Sequence, residues 1–341
     1  MPYEDPRPAL AEIDAARLAT GLSDAGARLA WRYALSGLSS QFLERRPAGP
    51  PPRRVVIIAS ANVFTAPLPW LAWLSAWGVP VTLKPARGHR LAMEAVAAAL
   101  RGVELRPWRG GDLEAEGEAL ADAEVVLAYG RAETLAVLAA RRPPAVRMLG
   151  FGPRYGLVVG APEPRAVARD LALYDSRGCM SPAAVLLPED GPSTGHYADA
   201  MAEAEARWPR GGLDAAEGLA LRARLALTRA AGGTASTGPG WAVLERPLDA
   251  FSPVALPRCL VLHRYRDVGE ARAFVANAGF ELGTLAIAAP GLADVLGLPR
   301  LDRRRRMTRP GHMQRPVAGR WHDGHDVIKT IWPGAGPKER V

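Results

Sequence analysis

Short apolar runs alternate with amphipathic stretches along the first half of the chain. Apolar runs of strand length occur at 55–59, 79–83, 125–129 and 157–159, with a weaker one near 103–106. Helical periodicity fills the intervals at 68–77, 90–101, 112–121 and 131–141. Strands and helices that alternate at this spacing predict a parallel sheet with helical crossovers.

The same alternation begins again around residue 179. Helices are predicted at 195–207, 214–231 and 268–277, strands at 183–187, 259–263 and 284–288, and a Gly/Thr/Ser-rich loop at 232–240. Amphipathic helices at 9–45 and a proline-rich linker precede the first sheet. We therefore predict an α/β protein with two open parallel-sheet domains: N-terminal helices and a cofactor-binding domain over 1–172, and a catalytic domain over 173–300. The Arg-, Gly- and Pro-rich tail, 301–341, is predicted to pack on another domain or subunit.

Residues 55–83 carry no charge, which raises the question of a membrane span. Three prolines and Asn62 interrupt the stretch, so it is better explained as strand, loop, helix and strand. The N-terminus lacks the apolar segment of a signal peptide. We expect a protein without a membrane span.

Composition narrows the class further. With 341 residues, 48% of them hydrophobic, the chain has enough apolar material for two domains. Two cysteines cannot build a disulfide framework, which favours a reducing, cytoplasmic location, and no ligand spacing for a metal is present. The net charge of +8 has no aromatic-interleaved basic stripe, so we expect no nucleic-acid partner. A basic surface also suits a phosphate-rich cofactor or an acyl carrier.

Cys179 is the first candidate for chemistry. It follows a glycine, is flanked by small residues and precedes a strand-like run. A thiolate in such a segment is a strong nucleophile that forms thioesters. A lone cysteine is more often a small buried hydrophobe, and Cys259, beside an apolar strand, is predicted to be one.

Three further groups of candidates lie where predicted strands end. Asn62 follows the first strand, Lys84 ends the second, and Gly130, Arg131 and Thr134 form a strand-to-helix turn. Ligands of open α/β sheets bind at the carboxyl ends of strands, and a helix N-terminus suits a pyrophosphate. Asn62 as a turn cap and Lys84 as an exposed lysine are the structural alternatives.

Taken in order, these pieces resemble the aldehyde dehydrogenase superfamily. The resemblance implies that Asn62 and the backbone amide of Cys179 hold an oxyanion and that Cys179 attacks the carbonyl. It also implies that Lys84 binds the cofactor ribose and that the Gly130 turn, with Arg131 in place of the usual Ser, lies under the pyrophosphate.

A later segment adds to this likeness. The run Asp-Ala-Phe-Ser-Pro-Val at 249–254 resembles the family's Glu-x-Phe-Gly-Pro-Val. By resemblance, Asp249 would hold the nicotinamide ribose, and Phe251 would also belong to the cofactor site.

One departure points to a branch of the superfamily. Hydrolytic members carry a general-base Glu in a Glu-Leu-Gly-Gly motif, where this chain has Met148. Without that base an acyl-enzyme persists, as acyl-CoA reductases require. The cysteine segment and the tail motifs at 309–316 and 321–324 look like the fatty acyl-CoA reductase family of bacterial luminescence systems. His322 is then a candidate acid/base with Asp323, although a structural His-Asp pair is the alternative.

The resemblance implies NADPH-dependent reduction of an acyl thioester, delivered by CoA or an acyl carrier protein, and a homodimer. Arg87 stands where NAD-preferring relatives often have an acid, and its guanidinium suits a 2′-phosphate. NADH remains the alternative cofactor, and a solvent-facing role remains the alternative for Arg87. An ordinary aldehyde dehydrogenase, an acyl-phosphate reductase and a non-enzymatic binding or scaffold protein remain as other functions.

Overall fold

The computed structural model of the protein describes residues 2–253, 256–279, 281–298 and 303–333. It separates into two compact units. Unit 1 takes its described residues from 1–20, 30–153 and 317–341, and unit 2 takes its own from 21–29 and 154–316.

Unit 1 is an α/β unit in which strands and helices alternate. Its elements, together with the helix α2 that runs from unit 2 into unit 1, are α1 (Arg7–Ala11), α2 (Asp24–Ser36), α3 (Ser40–Leu43), β1 (Val55–Ile58), α4 (Leu68–Ala76), β2 (Val81–Lys84), α5 (Arg90–Ala99), β3 (Val103–Leu105), α6 (Leu113–Ala121), β4 (Val125–Tyr129), α7 (Ala132–Arg141) and β5 (Arg147–Phe151).

The sheet of unit 1 is parallel throughout, in the order β3-β2-β1-β4-β5. The central strand β1 is an unbroken apolar run, Val-Val-Ile-Ile, as expected for a strand covered on both faces. The helix α4 is apolar all round and almost entirely buried, which explains the charge-free stretch without a membrane. Among the described residues, none of the helices is both long and apolar enough to cross a bilayer.

Unit 2 carries a larger sheet. Its further elements are β6 (Tyr155–Val159), α8 (Pro164–Ala172), β7 (Pro182–Pro188), α9 (Thr194–Arg207), α10 (Ala215–Ala230), β8 (Thr234–Gly238), β9 (Trp241–Glu245), β10 (Cys259–Tyr265), α11 (Val268–Asn277), β11 (Leu282–Ile287), α12 (Leu292–Val295) and β12 (Arg306–Thr308).

The seven strands of unit 2 follow the order β12-β11-β6-β7-β10-β9-β8, and all neighbours are parallel except β8 and β9. The prediction of a loop at 232–240 is wrong, because Thr234–Gly238 forms an antiparallel edge strand against β9. The strand lies at the edge of the sheet, where little side-chain burial is needed. Its residues are small or hydroxylated, so the sequence shows no hydrophobic pattern there.

The compact units differ from the sequence-based division at 172 and 300. Residues 154–172 belong to the unit that contains Cys179, and the described tail is shared: β12 extends the sheet of unit 2, whereas α13 (Val327–Ile331) packs in unit 1. The domain boundaries, and the role of the tail in oligomerisation, stay predictions.

Candidate functional site

Cys179 lies in a tight turn directly before β7. The backbone amide of Ser181 donates to the carbonyl of Gly178 at 2.9 Å, which closes a four-residue turn around Cys179 and Met180. The cysteine is partly exposed, whereas Gly178 and Ser181, the first and last residues of the turn, are buried. The thiol is thus presented on a short, internally bonded loop.

The segment that leads into this turn has an unusual backbone. Tyr174, Asp175 and Ser176 have φ angles of 56°, 50° and 60°, three consecutive left-handed residues that are not glycine. Each such residue costs about 1–2 kcal/mol relative to a right-handed one. Other interactions must therefore hold this stretch in place.

A buried ionic network supplies the interactions that hold this left-handed segment. The Asp175 carboxylate is 1% exposed and accepts hydrogen bonds from Arg258 Nε at 2.7 Å and from the Gly211 amide at 2.9 Å. Arg258, also 1% exposed, donates from Nη1 to Glu205 Oε2 at 2.8 Å. Because each charge is paired, its burial is tolerated. The segment before the cysteine is thus fixed by Arg258, the residue before β10, and by Glu205 of α9.

Gln314 contacts the turn from the other side. Its side-chain amide donates to the Ser181 hydroxyl. A Cβ at Gly178 would lie 2.9 Å from Gln314 Oε1, so a larger residue before the cysteine would displace the Gln314 side chain. The cysteine segment and the Arg309–Pro316 tail motif, identified separately in the sequence, are in contact here.

The tail motif is itself tied to α8. Asp170, fully buried, accepts hydrogen bonds from the amides of Gly311 at 2.6 Å and Met313 at 3.1 Å. Arg306 donates to the carbonyls of Met313 at 2.6 Å and His312 at 2.9 Å. The loop that carries Gln314 is therefore held through its backbone amides by Asp170 and through its backbone carbonyls by Arg306.

Asp170 makes the stability of this loop attachment depend on pH in a predictable way. Burial raises the pKa of Asp170 from 3.8 to about 7, against the opposing effect of the two amides. Between these values the folded protein holds a proton that the unfolded chain releases, so its contribution to stability is present at low pH and lost as the pH rises through about 7. The variant Asp170→Asn cannot bind this proton, so its stability should lack this dependence on pH. The free energy of unfolding of wild type, measured relative to that of the variant, should therefore fall by up to about 1.4 kcal/mol per pH unit between about pH 4 and 7.

Urea unfolding at several pH values measures this slope. The exposed Asp199→Asn on α9 is the matched control and should follow wild type. Parallel profiles for wild type and Asp170→Asn would contradict the prediction.

The second cysteine has a different environment. Cys259 is 3% exposed in the apolar core at the start of β10, and burial raises its pKa to about 12. It is therefore a neutral core residue, as its sequence context predicted, and Cys179 is the only partly exposed thiol of the two.

The candidate catalytic residue Asn62 and the predicted cofactor residues at the strand ends of unit 1 share one edge of its sheet. β1, β2 and β4 are parallel neighbours, so the residues that follow them, Asn62, Lys84 and the Gly130 turn, lie at the same carboxyl edge. Asn62 is exposed. Lys84 is half-buried with Nζ 5.4 Å from the centre of the Trp108 ring, and burial lowers the pKa of its ammonium. Trp108 gave no signal in the sequence.

The Gly130 turn differs in detail from the predicted phosphate cradle. The Gly130 amide donates to the Phe151 carbonyl at 3.2 Å and so is already used. Arg131 is the exposed N-cap of α7 and makes no side-chain cap, and Thr134 is exposed in the first turn. The amides that fit a phosphate are those of the first helical turn, although Glu133 also lies there and would oppose it.

Arg87 fits the 2′-phosphate prediction better than its neighbour does. It is exposed and makes no hydrogen bond or ion pair with the described residues, whereas Arg90 is paired with Glu94 at 2.7 Å. Together with Lys84 it offers a dinucleotide two cations at one sheet edge.

His322 lies at the end of β5. Its ring stacks on Phe151 with centroids 4.2 Å apart, and its backbone is paired with that of His325. Phe151 in turn contacts Tyr129 at 4.9 Å between ring centres. The imidazole therefore belongs to an aromatic stack at the same edge as the Gly130 turn, and its acid/base role stays a prediction.

Asp249 and Phe251 belong to unit 2. Asp249 is exposed, whereas Phe251 packs against Phe274 and His263, with ring centres 4.9 and 5.8 Å apart. The segment thus presents an exposed Asp249 carboxylate, with Phe251 packed in the core of unit 2. Among the described residues, no cluster of three potential metal ligands occurs.

Comparisons of the whole chain with solved structures give its class. A NAD-dependent benzaldehyde dehydrogenase from Corynebacterium glutamicum superimposes with a TM-score of 0.65 at 15% identity, covering 92% of this chain and 82% of that one. The Delta-pyrroline-5-carboxylate dehydrogenase from Mycobacterium tuberculosis gives 0.61 at 17% identity, with 96% and 73% covered. The proline utilization A protein of Bradyrhizobium japonicum gives 0.67 at 16% identity and 94% coverage, but the chain spans only 40% of its length. The fold is that of the aldehyde dehydrogenase superfamily.

The sequence comparison then identifies the family. Residues 92–331 match the family described as Acyl-CoA reductase (LuxC), and the chain belongs to it. No curated protein sequence matches the chain. The resemblance drawn from the motifs, both to the superfamily and to this branch, is confirmed.

Proposed function

We propose that the protein reduces an acyl thioester to an aldehyde, with NADPH as reductant and a covalent thioester on Cys179. The observation that carries this proposal is the partly exposed Cys179 on a braced turn in a member of the acyl-CoA reductase family. Cys259 offers no alternative nucleophile, because it is buried and its pKa is about 12.

The chemistry begins with transfer of the acyl group. The Cys179 thiolate attacks the thioester carbonyl, a new C–S bond forms, and the carrier thiolate leaves with the electrons of the old C–S bond. The amide of Cys179 and the side chain of Asn62 are the proposed donors to the oxyanion of the tetrahedral intermediate. The donor thioester is acyl-CoA or a carrier-bound acyl group.

The fate of the acyl-enzyme depends on what surrounds it. Met148, in β5, stands where hydrolytic relatives carry the base that activates water, and a thioether cannot accept that proton. The acyl-enzyme therefore persists. NADPH, when bound, would supply the hydride that converts the thioester to an aldehyde and frees the Cys179 thiolate.

The proposed cofactor residues divide by unit. Lys84, Arg87 and the first turn of α7, with Arg131 and Thr134, would hold the adenosine and pyrophosphate end. Asp249, beside Phe251, would hold the nicotinamide ribose. His322 is retained as the candidate acid/base, and a homodimer as the proposed assembly.

Arg87→Ala tests the choice of cofactor. Loss of a charge-assisted hydrogen bond to the 2′-phosphate should raise the KM for NADPH by about tenfold or more and leave the KM for NADH nearly unchanged. Steady-state kinetics with both cofactors measure the effect. Arg90→Ala, which removes a guanidinium already paired with Glu94, is the matched control. Equal changes with both cofactors would show that Arg87 does not read the phosphate.

The decisive experiment for the proposed function is intact-mass analysis of wild-type protein after incubation with a panel of acyl-CoAs. We expect one acyl adduct that maps to the Cys179 peptide and disappears on addition of NADPH, with release of the aldehyde. Discharge by water alone would favour an ordinary aldehyde dehydrogenase. Labelling by acyl phosphates but not by thioesters would favour an acyl-phosphate reductase, and no adduct with either would favour a binding protein.

A further inference from the structure

One face of the unit 2 sheet collects polar side chains that the proposed chemistry does not use. Side chains alternate between the faces of a strand, so in β10 the core residues Cys259 and Val261 share their face with His263. In β9, Ala242 and Leu244 point to this same apolar cluster, and the next residue on that side is Arg246. The Arg246 amide donates to the Leu262 carbonyl at 3.0 Å, which places Arg246 beside His263.

The helix α10 covers this face and adds a second cation. Thr228 is fully buried and its hydroxyl donates to the carbonyl of Arg224, one turn earlier on the same side of the helix. Leu221 and Leu225 beside it pack into the same cluster. Arg224 therefore faces the sheet, and its Nη2 donates to the Ser252 hydroxyl at 3.2 Å.

These two cations lack a counter-charge among the residues that the structure describes. Neither Arg224 nor Arg246 forms an ion pair with the described residues, in contrast to the paired Arg258. Burial, and less strongly the charge of Arg246, lowers the pKa of Arg224, so the two guanidinium groups are within electrostatic range. Cys259 has its pKa raised to about 12 and stays neutral, so it does not compensate them.

Two buried nitrogens in this group also lack partners. Arg246 Nε and His263 Nε2 are covered yet make no hydrogen bond with the described residues. His263 is 1% exposed, and its other nitrogen, Nδ1, is bonded to the carbonyls of Arg246 and Pro247 at 3.0 and 2.9 Å. Buried polar atoms and charges are normally satisfied, so an unpaired set of this kind implies a ligand that completes it.

We propose that Arg224, Arg246 and Ser252, with His263 beside them, form a binding site for a phosphate group. Two guanidinium groups match a phosphate dianion in charge and geometry, and the hydroxyl adds a neutral donor. Arg224, Arg246 and Ser252 are partly exposed, which leaves a route for the ligand. The site lies at the end of β9, directly before the Asp249 segment. Binding of inorganic phosphate at this site does not rest on the proposed chemistry at Cys179.

Isothermal titration with inorganic phosphate, at constant ionic strength, tests the site. Wild type should bind phosphate, and Arg224→Met and Arg246→Met should each weaken binding by about tenfold or more, the effect of one lost charge-assisted contact. Arg222→Met, on the exposed side of α10, is the matched control and should bind like wild type. Arg246→Lys retains the charge, so its affinity for phosphate should lie between those of wild type and Arg246→Met.

Removal of an unpaired cation is not expected to unfold the protein, and circular dichroism of each variant checks this. Comparison of coenzyme A with dephospho-coenzyme A then identifies the source: if their affinity difference is lost in Arg246→Met, the site binds the 3′-phosphate of coenzyme A, and if the difference is unchanged, the site binds free phosphate. Absence of phosphate binding in wild type, or equal binding in a folded Arg246→Met, overturns the proposal.

Discussion

Replacement of Cys179 by serine is expected to lower the rate of aldehyde formation from an acyl thioester by about a thousandfold or more, the scale seen when a covalent nucleophile is removed. A serine hydroxyl is far less ionised than a thiol at neutral pH, so it is a much weaker nucleophile. The turn itself should survive, because its hydrogen bond joins Gly178 and Ser181 and not the side chain. The measurement is single-turnover formation of aldehyde with saturating NADPH.

Cys259→Ala provides the matched control. This cysteine is buried and neutral, so its loss should cost stability but little activity in the folded fraction. Cofactor binding by Cys179→Ser, followed by fluorescence, should equal that of wild type. Retention of more than about a tenth of wild-type turnover in Cys179→Ser would rule out covalent catalysis at this residue.

Asp175→Asn is expected to lower the free energy of unfolding by about 3 kcal/mol, since removing one partner of a buried ion pair leaves the other uncompensated. Asparagine tolerates the left-handed backbone at this position, so the substitution isolates the charge from the strain. Arg258 keeps Glu205 as a partner, which holds the loss at the lower end of the usual range. Urea or thermal unfolding measures the change.

Glu203→Gln makes the same change in charge at an exposed pair. Glu203 and Arg165 are joined at 2.7 Å but are 54% and 71% exposed in their side chains, so the expected loss is below about 1 kcal/mol. We also expect slower alkylation of Cys179 in Asp175→Asn, because the left-handed segment positions the turn. Equal stability losses in the two variants would show that the buried network does not restrain this segment.

The strand β1 and the helix α4 of unit 1 were predictable because uninterrupted apolar runs mark them. The run at Val55 and the buried helix at Leu68 are apolar for reasons that act locally, namely burial on both faces of a sheet and all round a helix. The strand at Arg147–Phe151 was not predicted, since a charged residue and a glycine break its pattern. The edge strand β8 was missed because solvent replaces half of the packing that marks a strand.

The distant contacts that hold the turn of Cys179 could not be predicted from the sequence. Gln314 contacts the turn from more than 130 positions away, and Asp175 pairs with Arg258 across 83. Periodicity reports only which side of an element is buried, not which distant residue covers it. The ordered motifs did locate the cysteine segment and the tail motif, but their contact is a property of the folded sheet.

Unit 1 is assembled from segments made early and late in synthesis. The last helix among its described residues, α13, precedes Trp332. The Trp332 ring packs 6.0 Å from that of Trp73, and its Nε1 donates to the Gly49 carbonyl at 3.3 Å. A ribosome adds about 5–20 residues per second from the N-terminus. The five strands of unit 1 therefore emerge first, yet their final packing partner appears only after residues 154–316 have been translated. The unit that is begun first thus gains the contact between Trp73 and Trp332 only late in synthesis.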